Sequence, residues 1–168
     1  RIVPTFGVAG LSVVPAYRVF AHFVKQVRTL PQDEALGLLE RKVRHYVRNS
    51  LSSLHGAYTD IGERWAVTQM GDPDLEILVE ALEVADNSSP RKVVEKALWG
   101  SYQLLPRPDM TARILLLPGD GYNKLLTQVM HGVMGISLSS QATLLFFWPS
   151  GDWLSWLAYT ASHEYMHL

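Results

Sequence analysis

The sequence contains no cysteine in its 168 residues. Disulfide bridges, thiolate metal sites and lipid anchors on cysteine are therefore excluded within it. Such a composition fits a cytoplasmic protein, which is the location we expect. No run of about 18 apolar residues occurs, so the sequence offers no candidate for a membrane-spanning helix.

A strong charge of either sign is also missing. The net charge is −1 and the isoelectric point is near 6.6, so the composition does not suggest nucleic-acid binding. One small basic cluster alternates with leucine and valine at helical spacing, which favours a solvated helix face over a nucleic-acid patch. Its members are Arg41, Lys42, Arg44 and Arg48. The motifs of serine hydrolases, P-loop proteins and dinucleotide-binding proteins do not occur, so these classes have no support.

The sequence does contain one catalytic motif, H-E-x-x-H, from His163 to His167. Residues four apart share a face of an α-helix, so His163 and His167 can bind one metal ion. Glu164 then lies beside that ion, where it can act as the general base of a zinc peptidase. Zinc lowers the pKa of a bound water to about 7, which makes hydrolysis possible at neutral pH. The spacing therefore predicts Zn²⁺ as the cofactor.

A chance occurrence of the motif on a solvated helix is the alternative. Shuffled chains of this composition contain it about once in a hundred. An apolar stripe at helical spacing precedes the motif, and steps of three and four connect Trp156, Thr160, His163 and His167. We therefore expect both histidines on or beside the buried helix face, where a metal would satisfy them.

The pattern of the chain predicts an α+β fold with a mainly helical half (1–105), followed by strands and the motif helix (106–168). Helices are expected over about 17–30, 31–47, 51–70 with a break at Gly56 or Gly62, 75–87 and 90–105. Strands are expected at 113–117, 133–138 and 144–148, and 122–130 is a short helix or a loop. The apolar run 2–17 is interrupted by proline and glycine, and we expect it to be irregular or partly extended. Asp152 or Ser150 should cap the motif helix.

A small mixed sheet with one strand at its edge above the motif helix would suit a peptidase. An extended peptide can pair with such an edge, which makes Val133, Met134 and Gly135 candidate substrate-binding residues. Gly135 and the preceding Gly132 either let a substrate backbone approach closely or mark a bulge. His131 is interpreted as a loop residue in preference to a ligand or an oxyanion donor. Tyr159 and Tyr165 could donate to a transition-state oxygen, and Tyr165 is the weaker candidate, because it points away from the ligand face.

The segments His131-Gly132-Val133-Met134-Gly135, Leu144 to Pro149 and Leu157 to His167 together resemble the DUF2268 family of zinc-dependent peptidases. These are bacterial zincins of the YjaZ type, and their pattern pairs a G-V-x-G segment with a later L-A-H-E-Y-x-H helix. The resemblance covers about the last 60 residues. Ser162 and Met166 depart from the common pattern outside the ligand positions.

This resemblance implies that His163 and His167 are zinc ligands and that Glu164 is the catalytic base. It also implies a third ligand, a glutamate, on a later helix. The chain ends one residue after the motif, so we expect this segment to be a single domain that forms the N-terminal part of a zincin peptidase and to be inactive alone. The alternatives are another zinc hydrolase, or a helical interaction or regulatory domain in which the motif is structural or degenerate.

Overall fold

The helical half comes first in the computed structural model, which describes residues 10–168. Pro31 precedes the second helix, and two acidic residues occupy its first turn. The Asp74 side chain accepts hydrogen bonds from the N–H groups of Glu76 and Ile77 and so caps the fourth helix. The helices are α1 (Ala16–Val27), α2 (Gln32–Ser50), α3 (Gly56–Met70), α4 (Leu75–Asn87) and α5 (Pro90–Leu104).

All five predicted helices of this half are confirmed, and the break falls at Gly56 and not at Gly62. Gly62 lies inside α3, where a Cβ atom would come within 3.0 Å of Leu138 Cδ1. Its missing side chain therefore lets α3 pack closely on the strand that carries Leu138. Residues 1–9 of the apolar N-terminal run lie outside the described residues, and Leu11–Val14 form a strand, β1.

The sheet has four strands in the order β1-β2-β4-β3, with β2 at Ala112–Pro118, β3 at Val133–Ser139 and β4 at Ala142–Phe147. β1, β2 and β4 run parallel, whereas β3 pairs antiparallel with β4 and occupies the edge. The predicted mixed sheet and the edge position of the 133–138 strand are thus confirmed. The segment before β3 contains a short π-helix, Leu125–Val129.

The last helix, α6 (Trp153–Tyr165), packs against β3, β4 and α5. Asp152 occupies its N-cap position but, among the described residues, its side chain makes no capping hydrogen bond. Gly135 faces α6 and Leu138 faces α3, so these two helices cover opposite faces of the edge strand. The buried strands β2 and β4 form the centre of the core, and the motif helix lies directly on it.

Candidate metal centre

Helix α6 buries one face and leaves the neighbouring face half exposed. Leu157 and Ala161 are at most 1% exposed, and Glu164 continues their stripe at a step of three residues. His163 has 58% of its side-chain surface exposed, and His167 is exposed as well. The histidines were expected on or beside the buried helix face, and they lie beside it, because Glu164 occupies the buried position.

The two histidine rings approach each other at the C-terminal end of α6. His163 lies in the last turn of the helix, whereas His167 follows the end of the helix at Tyr165. The His167 N–H donates to the Glu164 carbonyl at 3.0 Å, which closes a tight turn. The two Nε2 atoms are 3.4 Å apart, so the spacing of four residues brings them together although one residue is outside the α-helix.

This separation fits two imidazoles that share one metal ion. Zinc binds imidazole nitrogen at about 2.0–2.1 Å, and two such ligands at a tetrahedral angle are about 3.3 Å apart. One ligand atom each from His163, Glu164 and His167 lies within 4.8 Å of the others. The group can therefore hold a metal ion.

The Glu164 carboxylate is held between the edge strand and the histidine pair. Its Oε1 accepts a hydrogen bond from Ser137 Oγ at 2.8 Å, and Ser137 Oγ is 2.9 Å from Thr143 Oγ1. Its Oε2 is 3.8 Å from His163 Nε2. Only 7% of Glu164 is exposed, so one oxygen is anchored to β3 while the other faces the candidate metal site.

Gly135 explains how the glutamate comes so close to the edge strand. A Cβ atom at this position would lie 2.8 Å from Glu164 Cγ and 3.0 Å from both Leu145 Cδ2 and Thr160 Cγ2. The space that a side chain would fill is therefore taken by α6 and β4. Within the described residues, the register irregularity of β3 lies between Ser137 and Ser139, so Gly135 itself does not mark a bulge. The alternative, close approach of a substrate backbone, stays a prediction.

Arg107, from the α5–β2 connection, binds the C-terminal end of α6. Its Nη1 donates to the carbonyl oxygens of Tyr165, at 3.1 Å, and Leu168. Its Nη2 donates to the Met166 carbonyl at 3.4 Å. A cation at this end complements the helix dipole and satisfies carbonyls that lack partners within the helix. The turn that carries His167 is thereby fixed from outside the motif.

Tyr165 is part of the core and not of the metal centre. It is fully buried, and its hydroxyl donates to the Leu105 carbonyl at 2.7 Å. Burial raises the pKa of this phenol. Tyr159 is 64% exposed and packs edge-on against Trp156. The prediction that Tyr165 points away from the ligands agrees with this arrangement.

His131 stacks on Trp156, with ring centroids 4.0 Å apart and planes 5° apart. Its φ of 55° places it in the left-handed region, just before β3. Trp156 lies seven residues before His163, which corresponds to about 10 Å along the helix. His131 is thus a turn residue packed on the N-terminal part of α6, in line with its interpretation as a loop histidine.

Three residues of the candidate site, Ser137, Thr143 and Arg107, were not predicted from the sequence. Ser137 could have been placed on the α6 side of β3, because residues two apart on a strand share a face and Gly135 was already a candidate. Thr143 can be placed opposite Ser137 only once the register of β3 and β4 is known. Arg107 lies between two prolines in the α5–β2 connection. No local sequence pattern relates it to α6, which lies much later in the chain.

Searches for matching family models, curated proteins and solved structures each gave no match to this chain. Membership of the DUF2268 family therefore stays a prediction.

None of the helices in residues 10–168 combines the length and the apolar character needed to cross a membrane. In the basic cluster of α2, Arg44 and Arg48 both form ion pairs with Glu63 of α3, so these two side chains join the two helices.

Proposed function

We propose that this chain carries the active-site helix of a zinc-dependent peptidase, in which His163 and His167 bind the metal and Glu164 is the general base. The observation that carries the proposal is the 3.4 Å separation of the two Nε2 atoms beside the inward-facing carboxylate. A buried glutamate next to two exposed, converging histidines is the arrangement that this chemistry requires.

A bound zinc ion would polarise the scissile carbonyl and acidify the attacking water. Glu164 supplies the proton transfers. Its Oε2 is free to accept the proton of the water, and the same oxygen can deliver that proton to the leaving amine. The Ser137 hydrogen bond to Oε1 keeps the carboxylate in one orientation during both transfers.

The edge strand β3 would bind the substrate through its backbone. Trp148 N–H donates to the Gly132 carbonyl, so by antiparallel alternation Met134 bonds to β4, whereas Gly135 directs its N–H and C=O groups outward. The Val133 N–H is already bonded to the Met130 carbonyl, at 3.0 Å. Within the described residues, no strand pairs with this outer edge. An extended peptide paired there would lie beside Glu164, because Gly135 contacts that side chain.

Metal content tests the proposal directly. We would measure zinc by mass spectrometry in this chain and in the longest natural form of the protein, with His163→Ala and His167→Ala variants of each. His22→Ala is the matched control, since His22 is exposed on α1 far from the motif in sequence. One zinc per chain in the wild type and the control, lost in both motif variants, supports the site. A wild type that binds no zinc when zinc is supplied refutes it.

A second variant separates the base from the ligands. Glu164→Gln should retain zinc and lose peptide hydrolysis by about 10²–10⁴-fold, because only the proton acceptor is removed. Hydrolysis is measured on peptides of denatured casein by mass spectrometry. If Glu164→Gln instead loses its zinc, the carboxylate is a ligand, and if it keeps the wild-type rate, the mechanism is wrong.

A further inference from the structure

We propose that Ser137, itself oriented by Thr143, is the positioning residue that fixes the orientation of the Glu164 carboxylate, with one oxygen bonded to β3 and the other directed towards the metal site. The inference rests on the proposed function for its catalytic consequence. The orientation of the carboxylate is a separate property, which can be measured without any turnover.

The direction of the hydrogen bonds follows from the chemistry of the three groups. An ionised carboxylate can only accept, so Ser137 must donate its single hydroxyl proton to Glu164 Oε1, 2.8 Å away. Ser137 Oγ then has only lone pairs for Thr143, so the Thr143 hydroxyl donates to it at 2.9 Å. The order of donation, from Thr143 to Ser137 to Glu164, is therefore fixed.

The surroundings leave this carboxylate few alternative positions. Thr143 is fully buried and pairs directly with Ser137 across β3 and β4. Gly135, two residues before Ser137 on the same strand face, contacts the Glu164 side chain from the other direction. No buried side-chain oxygen or nitrogen in residues 10–168 lacks a hydrogen-bond partner, so the arrangement is satisfied as it stands.

The two carboxylate oxygens of Glu164 therefore have different surroundings. With Oε1 engaged by β3, Oε2 is the oxygen on the His163 side, at 3.8 Å from Nε2. Without Ser137, the carboxylate would be free to rotate about its last bond, and the base would spend less time in the productive orientation. Groups that orient a catalytic or metal-binding side chain in this way contribute about 10–100-fold to activity or metal affinity.

The test begins with the carboxylate itself. The infrared band of Glu164 is identified as the signal lost in Glu164→Gln, and it is then compared between the wild type and Ser137→Ala. We expect the band to shift when the hydrogen bond to Oε1 is removed. Ser155→Ala, which changes an exposed serine of α6, is the matched control and should leave the band unchanged. An unshifted band in folded Ser137→Ala would overturn the inference.

The kinetic test uses the longest natural form of the protein loaded with zinc. Ser137→Ala should lower kcat by about 10–100-fold, with a smaller change in KM and no loss of zinc, whereas Ser137→Thr should restore most of the rate. Thr143→Val keeps the volume of the side chain and should lower kcat less, and it replaces Ser137→Ala if that variant does not fold. An unchanged kcat in Ser137→Ala and Thr143→Val refutes the positioning role. A wild type without zinc refutes the proposed function only, because the infrared comparison still decides the orientation of Glu164.

Discussion

Gly135 is the position at which the edge strand and α6 come closest, and replacing it with alanine tests that packing. The new methyl group would lie 2.8 Å from Glu164 Cγ and 3.0 Å from carbon atoms of Leu145 and Thr160. None of these contacts is at the end of a long flexible chain, since Leu145 is fully buried and Thr160 belongs to α6 itself. The helix or the strand must therefore move.

The expected magnitude follows from two opposing effects. Forcing an extra methyl group into a packed region destabilises a protein by about 1–3 kcal/mol. Alanine in place of glycine also reduces the entropy of the unfolded chain, which offsets about 0.5–1 kcal/mol. We expect a net loss of about 1–2 kcal/mol in the free energy of unfolding, measured by urea denaturation followed by circular dichroism.

Gly100 provides the matched control, because it lies inside α5 and a Cβ atom there would meet nothing within 4 Å. Gly100→Ala should stabilise the protein by about 0.5–1 kcal/mol. The two identical substitutions should thus have opposite signs. If Gly135→Ala is as stable as Gly100→Ala, α6 does not pack on the edge strand as closely as described, and the support for Glu164 fails with it.

Three further predictions concern hydrogen bonds outside the site. Asp74→Ala removes the cap of α4 and should lower the free energy of unfolding by about 1 kcal/mol in urea denaturation. An unchanged value would show that the Asp74 side chain does not stabilise α4. Tyr165→Phe removes the hydrogen bond to the carbonyl of Leu105, a residue that is 43% exposed, so a loss of about 0.5–1.5 kcal/mol is expected in the same assay. A loss of zinc without a loss of stability would show that the hydroxyl serves the site. Burial, together with the hydrogen bond to Asp86, raises the pKa of Tyr17 to about 12, so the neutral phenol is favoured in the folded state. The neutral Tyr17 phenol therefore stabilises the folded state fully below about pH 10, and this stabilisation is lost as the pH rises towards 12. The free energy of unfolding, measured between pH 9 and 12, should fall more steeply in the wild type than in Tyr17→Phe. Equal slopes would refute this.

The sequence allowed the elements to be predicted because their signals are local. Proline, aspartate and glycine mark the starts and ends of the helices, and the apolar runs of β2 and β4 are those of buried strands. The strand order was only partly predictable, since β1 pairs with β2 across the whole helical half. Neither hydrophobic period nor turn residues carry information about such a distant partner.

The candidate site, like the fold, has one part that the sequence predicts and another that it does not. The candidate ligand and base positions His163, Glu164 and His167 were predicted from the spacing of the motif, because helix geometry relates them. The sequence did not decide whether the histidines lie on the buried face or beside it, since a helix with apolar residues on more than one side does not identify its buried face until its neighbours are known. The contacts of Arg107 depend on the path of a connection, which the sequence pattern does not describe.

The distances along the chain between partners in the site also suggest an order of folding. Ser137 is 6 residues from Thr143 and 27 from Glu164, whereas Arg107 is 58 residues from Tyr165. Contacts between residues close in sequence close smaller loops and form sooner. We therefore expect Glu164 to acquire its hydrogen bond to β3 before Arg107 fixes the turn at His167. If the site binds a metal ion as proposed, uptake of that ion in a refolding experiment would report the last step of assembly and not the first.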